Sequence, residues 1–121
     1  MEPICALKDI YKVLYQFERE FQEKFVLTIN EAMLLCCLKE GDSKTAGAIC
    51  DYINLSNSRV SKVITAVENK GFIRRTISKT DKRQMLFTLT VKGKEKVEQM
   101  QSADLSIREL YDKLSDNMKI E

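Results

Sequence analysis

The 121-residue sequence predicts a mainly α-helical protein with one small β-hairpin, which is an α+β fold class. Over most of the chain, apolar residues recur three and four positions apart, which is the spacing of one helix face. Only between residues 72 and 90 does the pattern change to β-forming residues in alternation. This length suits one hydrophobic core, so we expect a single domain over residues 1–121.

The first predicted helix covers residues 3–25 and carries a long apolar stripe. Such a helix would leave much apolar surface uncovered in a monomer, so we expect a subunit interface shared with a helical segment at residues 98–119. The alternative is that both stripes fold onto the protein's own core. The predicted dimerisation residues are Leu7, Tyr11, Leu14, Ile107, Leu110, Tyr111 and Leu114.

Two shorter helices are predicted next. Thr28 to Glu31 has the form of a capping box, which predicts a helix over residues 29–40 that Gly41 closes. Asp42 and Ser43 are the candidate caps of a helix of about ten residues that ends near Asn54.

A fourth helix is predicted from Ser56, as its cap, to Lys70, with Gly71 as a left-handed stop. Its buried stripe is Val60, Val63, Ile64 and Val67. Its other face is almost entirely polar, and several of those side chains are short. Short polar side chains suit close docking of the helix itself.

The hairpin is predicted from strands at residues 72–78 and 84–90 around a charged turn. Thr90 then caps a further helix, in which Gly93 indicates a close backbone contact. Residues 94–121 contain neither Pro nor Gly, and we expect a kink or break between Ser102 and Ser106.

Positive charge is concentrated in the middle of the chain, although the net charge is only +2. Residues 56–96 contain eleven Lys and Arg against three Asp and Glu, whereas both flanking segments are mildly acidic. This distribution is typical of a surface that meets a polyanion. The alternative from composition alone is an ordinary solvated face.

Several function classes are disfavoured by what the sequence lacks. Histidine is absent, and Cys5, Cys36, Cys37 and Cys50 follow no metal-ligand spacing, so we expect no enzyme activity, metal or cofactor. Cys5 is the candidate for redox sensing, and the other three are expected to pack as small hydrophobes. No apolar run approaches the roughly 18 residues of a membrane span, and the start does not read as a secretory signal, so we expect a cytoplasmic protein.

Helix, helix, turn, helix and a hairpin with a basic tip together describe a winged helix-turn-helix. We expect the helix over residues 56–70 to enter the DNA major groove and the wing, residues 79–84, to enter the minor groove. Arg74 and Arg75 point to opposite sides of their strand, so at most one is expected to face DNA while the other lies over the core. The predicted DNA-binding residues are Asn57, Ser58, Arg59, Ser61, Lys62, Thr65, Arg74, Lys79, Lys82 and Arg83.

From about residue 27 to residue 97 the chain resembles the MarR-type (multiple antibiotic resistance) regulators. The resemblance is carried by Val60-Ser61, Glu68 to Arg75, Asp81-Lys82-Arg83, and Leu89-Thr90-Val91-Lys92-Gly93. It implies a homodimeric transcriptional regulator that binds a pseudo-palindromic operator, as a repressor controlled by a small ligand or by thiol oxidation. It also implies that Asp81 braces the wing and that Arg83 enters the minor groove. The segment after the wing is shorter than is usual in that family, so we expect the last helix to be truncated or merged with the preceding one.

Two rival functions remain open at this point. Winged helices can use the same surfaces for protein or single-stranded nucleic acid, without operator specificity. A thiol-based switch or peroxide enzyme centred on Cys5 would instead predict that Cys5→Ser abolishes the response to oxidants.

Overall fold

The computed structural model describes residues 3–102 and 107–117. The elements in chain order are α1 (Pro3–Phe25), α2 (Ile29–Cys37), β1 (Lys44–Thr45), α3 (Ala46–Ile53), α4 (Asn57–Asn69), β2 (Ile73–Ile77), β3 (Met85–Leu89), α5 (Val91–Ser102) and α6 (Ile107–Asn117). The predicted α+β fold class is confirmed. The chain divides into two compact units, of which one contains α1 and α6 and the other contains residues 29–102.

In the first unit, α1 packs against α6. The ring centroids of Phe21 and Phe25 on α1 are 4.8 Å apart, and both residues are buried. Of the predicted dimerisation side chains, Leu7 and Tyr11 are about half exposed, at 49% and 52%. Leu14, Leu110 and Leu114 are partly exposed, whereas the side chains of Ile107 and Tyr111 lie outside the described residues. The predicted break between Ser102 and Ser106 also falls largely outside them.

The second unit has a core to which all its helices contribute. The fully buried side chains Leu34 and Leu35 of α2, Ile49 of α3, and Val60 and Val67 of α4 meet there. Burial of such aliphatic side chains is the main favourable term in folding. The predicted buried stripe of α4 therefore faces the core, which leaves its polar face outside.

The sheet has three strands in the order β1-β3-β2, all antiparallel, whereas the sequence predicted only a two-stranded hairpin. The prediction of Asp42 or Ser43 as the cap of α3 is also wrong. Thr45 has an extended backbone that lets it pair with Leu86 of β3, and its Oγ1 accepts a hydrogen bond from the Ala48 amide at 3.1 Å. The same extended residue thus ends β1 and caps α3.

Several other local predictions are confirmed. Ser56 Oγ accepts from the Arg59 amide at 3.3 Å and caps α4, and Gly71 has a positive φ angle of 82° just after its end. The helix predicted over residues 29–40 ends earlier, at Cys37, and Gly41, with a φ angle of 85°, follows a turn at residues 38–40 instead of closing the helix. Strands β2 and β3 pair from Ile73 with Leu89 to Ile77 with Met85, within a residue of the predicted ends. No helix in the described ranges is long and apolar enough to cross a membrane.

Candidate nucleic-acid interface

The polar face of α4 is fully on the surface. Its exposed residues are Asn69 and the six that the sequence predicted, Asn57, Ser58, Arg59, Ser61, Lys62 and Thr65. Four of the six line a shallow surface groove along the helix together with Ala66 and Asn69, namely Ser58, Ser61, Lys62 and Thr65. Because the first turn of α4 contains no acidic residue, this end of the helix presents free donors and positive charge to its surroundings.

Three of these side chains are oriented by hydrogen bonds within the protein. Thr65 Oγ1 donates to the Ser61 carbonyl at 2.9 Å, the Cys50 thiol donates to Asn57 Oδ1 at 3.0 Å, and the hydroxyls of Ser56 and Ser58 are 3.3 Å apart. Thr65 can still accept a hydrogen bond, and the Asn57 amide nitrogen can still donate. The face is therefore ordered and retains hydrogen-bonding capacity.

The wing turn is held by its own hydrogen bonds. Ser78, which is buried, accepts at Oγ from the amides of Thr80 and Asp81 at 3.3 Å each. The Ser78 amide donates to the Gln84 carbonyl at 2.9 Å, and the Gln84 amide donates to the Asp81 carbonyl at 3.0 Å. Ser78 was not among the residues predicted from the sequence, although a serine two and three residues before the amides that it binds is a known turn signal.

Asp81 and Arg83 form the tip of the wing. Asp81 Oδ1 accepts from the backbone amide of Arg83 at 3.0 Å, so the carboxylate holds the backbone of the turn. Within residues 3–102 and 107–117, the guanidinium of Arg83 makes no ion pair or hydrogen bond, and neither do the ammonium groups of Lys79 and Lys82. The tip therefore combines a fixed backbone with three available cations.

Arg75 is the arginine that lies over the core, a choice that the sequence left open. Its Nε and Nη2 donate to the two carboxylate oxygens of Glu68 at 2.6 Å each, and its guanidinium lies 5.5 Å from the Phe87 ring centroid. These hydrogen bonds lower the pKa of Glu68 and raise the pKa of Arg75. Arg74 is exposed on the other side of the strand, and in the described part of the chain it has no ion-pair partner.

A second ion pair ties the end of α4 to α2. Lys70 Nζ lies 2.9 and 3.0 Å from the two oxygens of Glu31, whose side chain is almost completely buried. The two residues are 39 positions apart, so no local pattern could have indicated the contact. The pair fixes the far end of the helix whose polar face is exposed.

The four cysteines are free thiols that differ in burial. Burial raises the pKa of the Cys36 and Cys37 thiols, although Lys39 and Lys44 respectively act in the opposite direction. Such thiols stay protonated and unreactive near neutral pH. Cys5 is exposed. Among the residues that the structure describes, no cluster of three or more Cys, Asp or Glu could hold a metal ion.

In sequence comparisons, residues 27–85 match the model of the MarR family. The uncharacterized HTH-type transcriptional regulator YdcH of Bacillus subtilis (strain 168) is 30% identical over 90 residues, which cover 74% of this chain and 58% of YdcH. YhjH of the same organism, which has the same description, is 28% identical over 81 residues, covering 67% of this chain and 46% of YhjH. The chain thus spans about half the length of the curated relatives it matches.

Comparisons of structure show the fold. The S. aureus MepR–DNA complex has a TM-score of 0.77 at 21% identity, covering 98% of this chain and 86% of MepR. Reduced MarR from E. coli has a TM-score of 0.72 at 21% identity, covering 98% and 87% respectively. The fold is accordingly a winged helix-turn-helix in which the β2–β3 hairpin forms the wing. This fold, the family-model match and the two HTH-type relatives together identify the chain as a member of the MarR family.

Proposed function

We propose that the chain is a homodimeric transcriptional regulator that binds a double-stranded DNA operator in the cytoplasm and represses the controlled gene. The observation that carries this proposal is the combination of an exposed polar face on α4 with an arginine at the tip of a hydrogen-bonded wing whose guanidinium pairs with no group in residues 3–102 or 107–117. MepR and a MarR mutant of the same fold have been crystallised with DNA, which supports the same type of partner here. The proposal includes no catalytic step.

In the proposed complex, α4 enters the major groove. That groove is about 12 Å wide and exposes hydrogen-bond donors and acceptors on the base edges. Ser58, Ser61 and Thr65 are short, so they let the helix backbone approach closely, while Arg59 and Lys62 reach bases or phosphates. The polar face would then read sequence, and the cations would supply affinity.

The wing would contact the adjacent minor groove. A narrow minor groove has an enhanced negative potential, which attracts a guanidinium placed inside it. Arg83 meets that requirement because its backbone is held by Asp81 while its guanidinium is unpaired within the described residues. Lys79 and Lys82 would contact the flanking phosphates.

Dimerisation is proposed from the exposed apolar side chains of α1. Ile4, Leu7, Tyr11 and Tyr15 are each 49% exposed or more, and the rings of Tyr11 and Tyr15 stack at 6.1 Å. Symmetric dimers bury the same patch on both subunits, and two recognition helices then bind half-sites about one helical turn apart. Light scattering should give twice the chain mass for the wild type and the chain mass for Leu7→Lys.

Control by a small ligand or by oxidation completes the proposal. A cavity of about 220 Å³ lies between α3, α4 and the sheet beside Arg75, where an occupant would displace the recognition helix.

Cys5 is the exposed thiol in the described residues. If Cys5 is the sensor, hydrogen peroxide should weaken DNA binding by the wild type and leave Cys5→Ser unchanged. An equal response of both proteins would remove Cys5 from the proposal.

The deciding experiment is selection of duplexes from a random DNA library, followed by competition at one salt concentration. We expect a pseudo-palindromic sequence that binds more tightly than single-stranded DNA or RNA of the same sequence, with affinity that falls steeply as salt rises. Equal binding to single strands, or binding that does not depend on salt, would favour the alternative of an interaction module without operator specificity.

A further inference from the structure

The C-terminal end of the recognition helix is bound by the start of α5. Three successive carbonyls at the exit of α4 each accept a hydrogen bond from this segment. The Lys70 carbonyl accepts from Lys92 Nζ at 2.9 Å, the Gly71 carbonyl from Thr90 Oγ1 at 2.7 Å, and the Phe72 carbonyl from the Thr90 amide at 3.0 Å. These three carbonyls follow the last residue of α4, Asn69, so the contacts join the segment that leaves the helix to α5.

Thr90 is the centre of this contact because its hydroxyl acts in both directions. It donates to the Gly71 carbonyl, and it accepts from the Gly93 amide at 3.1 Å in the first turn of α5. A hydroxyl has one proton, so donating it to Gly71 fixes the rotamer and leaves the lone pairs for Gly93. One side chain therefore joins the exit of α4 to the cap of α5.

Close packing at Gly93 reinforces the contact. A Cβ atom added to Gly93 would collide with the Phe72 carbonyl oxygen and would lie 3.1 Å from Leu89 Cδ2. The close backbone contact expected from the sequence is confirmed. The two backbones can therefore approach far enough for the Thr90 amide to reach the Phe72 carbonyl.

Anchoring at one end of α4 controls the position of the other end. The helix has 13 residues and is about 20 Å long at 1.5 Å per residue. A tilt of about 5° at the exit would move the first turn by roughly 1.7 Å for a helix of that length. Hydrogen bonds to base edges do not survive such a displacement, whereas Lys and Arg contacts with phosphates are largely insensitive to it.

We propose that Thr90 is a positioning residue that determines sequence specificity without touching DNA. The inference rests on the proposed function, since it concerns the helix that would read the operator. Thr90 holds the exit of α4 against α5, and this contact keeps the side chains of the first turns in register with the bases. Loss of the contact removes discrimination between sequences and leaves attraction to the phosphate backbone.

The test measures the ratio of affinities for the selected operator and for a random duplex of equal length. Thr90→Val keeps the size of the side chain and removes the hydroxyl, so we expect the ratio to fall roughly tenfold, the equivalent of one or two hydrogen bonds. The salt dependence of binding to the random duplex should not change. Thr90→Ser restores the hydroxyl and should restore the ratio. Loss of folded protein would lower both affinities by the same factor, so it would not change the ratio.

Lys92 offers a second test with a matched control. Lys92→Met removes the bond to the Lys70 carbonyl but keeps the aliphatic stem, and we expect the ratio to fall roughly threefold. Lys94→Met removes the same charge from the same turn, yet in the described residues the Lys94 ammonium binds no carbonyl of α4, so the ratio should stay at the wild-type value.

The outcomes separate the inference from the proposed function. If the wild type selects no sequence, the proposed function fails. If the wild type selects an operator and Thr90→Val keeps the wild-type ratio, or loses affinity equally for both duplexes, the inference is overturned. If Thr90→Val does not fold, the Lys92→Met and Lys94→Met pair decides, and equal ratios for the two would overturn it.

Discussion

The base and the tip of the wing use the same residue types for different purposes. At the base, Arg75 is bound to Glu68 and lies over Phe87. At the tip, Arg83 sits on a turn closed by hydrogen bonds, and in the described part of the chain its own guanidinium has no protein partner. The arginine at the base is therefore bound to groups of the protein itself, whereas the tip is ordered and available for a ligand.

A count of charges therefore does not give the charge that is available for binding. Residues 56–96 contain eleven Lys and Arg, but Lys70, Arg75 and Lys92 bind groups of the protein itself. Changes at the base should consequently affect the free energy of unfolding, and changes at the tip should affect DNA affinity at constant stability.

The largest effect is expected from Gly93→Ala, where α5 packs against Phe72 and Leu89 at the base of the wing. The new methyl group collides with the Phe72 carbonyl, so the backbone must move, and we expect the free energy of unfolding to fall by about 3 kcal/mol. Urea unfolding followed by circular dichroism measures this change. Gly47→Ala is the control, because a Cβ atom at this position would meet only Thr45 Oγ1, at 3.8 Å. This substitution should stabilise α3 by about 0.5–1 kcal/mol. Equal stability of the two variants would contradict the contact at Gly93.

Arg83→Ala at the tip should weaken operator binding by about 1–3 kcal/mol and leave the unfolding free energy within about 0.5 kcal/mol of wild type. Fluorescence anisotropy with the selected duplex measures the affinity. Arg19→Ala removes the same charge from the exposed surface of α1 and should change affinity far less. Similar losses for both variants would mean that Arg83 acts only through net charge.

Asp81 accepts the hydrogen bond that holds the backbone of the tip. Asp81→Ala removes the acceptor of the Arg83 amide, so the turn loses a hydrogen bond and DNA affinity should fall by about 1 kcal/mol relative to Asp81→Asn, which keeps the oxygen. Both variants remove one negative charge, so the comparison isolates the hydrogen bond. Tighter DNA binding by Asp81→Ala than by Asp81→Asn would show that repulsion of DNA by the carboxylate matters more than the turn.

The smallest effect is expected when acid protonates Glu68 in its ion pair with Arg75. The hydrogen bonds from Arg75 lower the pKa of Glu68 in the folded state, so the pair stabilises the fold above the unfolded pKa of about 4.3. That stability is lost as the pH falls through the lowered folded pKa. On acidification from about pH 5 to about pH 3, the free energy of unfolding should therefore fall less for Glu68→Gln than for the wild type. The difference should be a few tenths of a kcal/mol, because the pair is exposed. Glu98→Gln, a control on α5, should behave as the wild type does.

Local signals in the sequence predicted the elements that position the candidate site. Caps and stops at Ser56 and Gly71 set the ends of α4, and the change to alternating residues set the hairpin. Gly93 was indicated as a close contact because a glycine near the start of a helix lowers its stability unless space requires it. These features depend on a few neighbouring residues, which is why one sequence was enough.

Contacts between distant residues were not predictable in the same way. Strand β1 has only two residues and is defined by pairing with β3, so the sequence near Lys44 carries no strand pattern of its own. Alternation placed Arg74 and Arg75 on opposite sides, but the position of Glu68 and Phe87 decides which of them is bound. The bond from Thr90 to the Gly71 carbonyl spans 19 positions and depends on how α5 returns to α4.

Footprints of the wild type and of Arg83→Ala on the selected operator would locate the groove that the wing tip contacts. Hydroxyl radicals report on the minor groove, and methylation of guanine N7 reports on the major groove. We predict that Arg83→Ala loses protection only at the outer minor-groove positions of each half-site and keeps the major-groove protection given by α4. Unchanged minor-groove protection, or loss spread evenly over both grooves, would contradict the assignment of the tip to DNA.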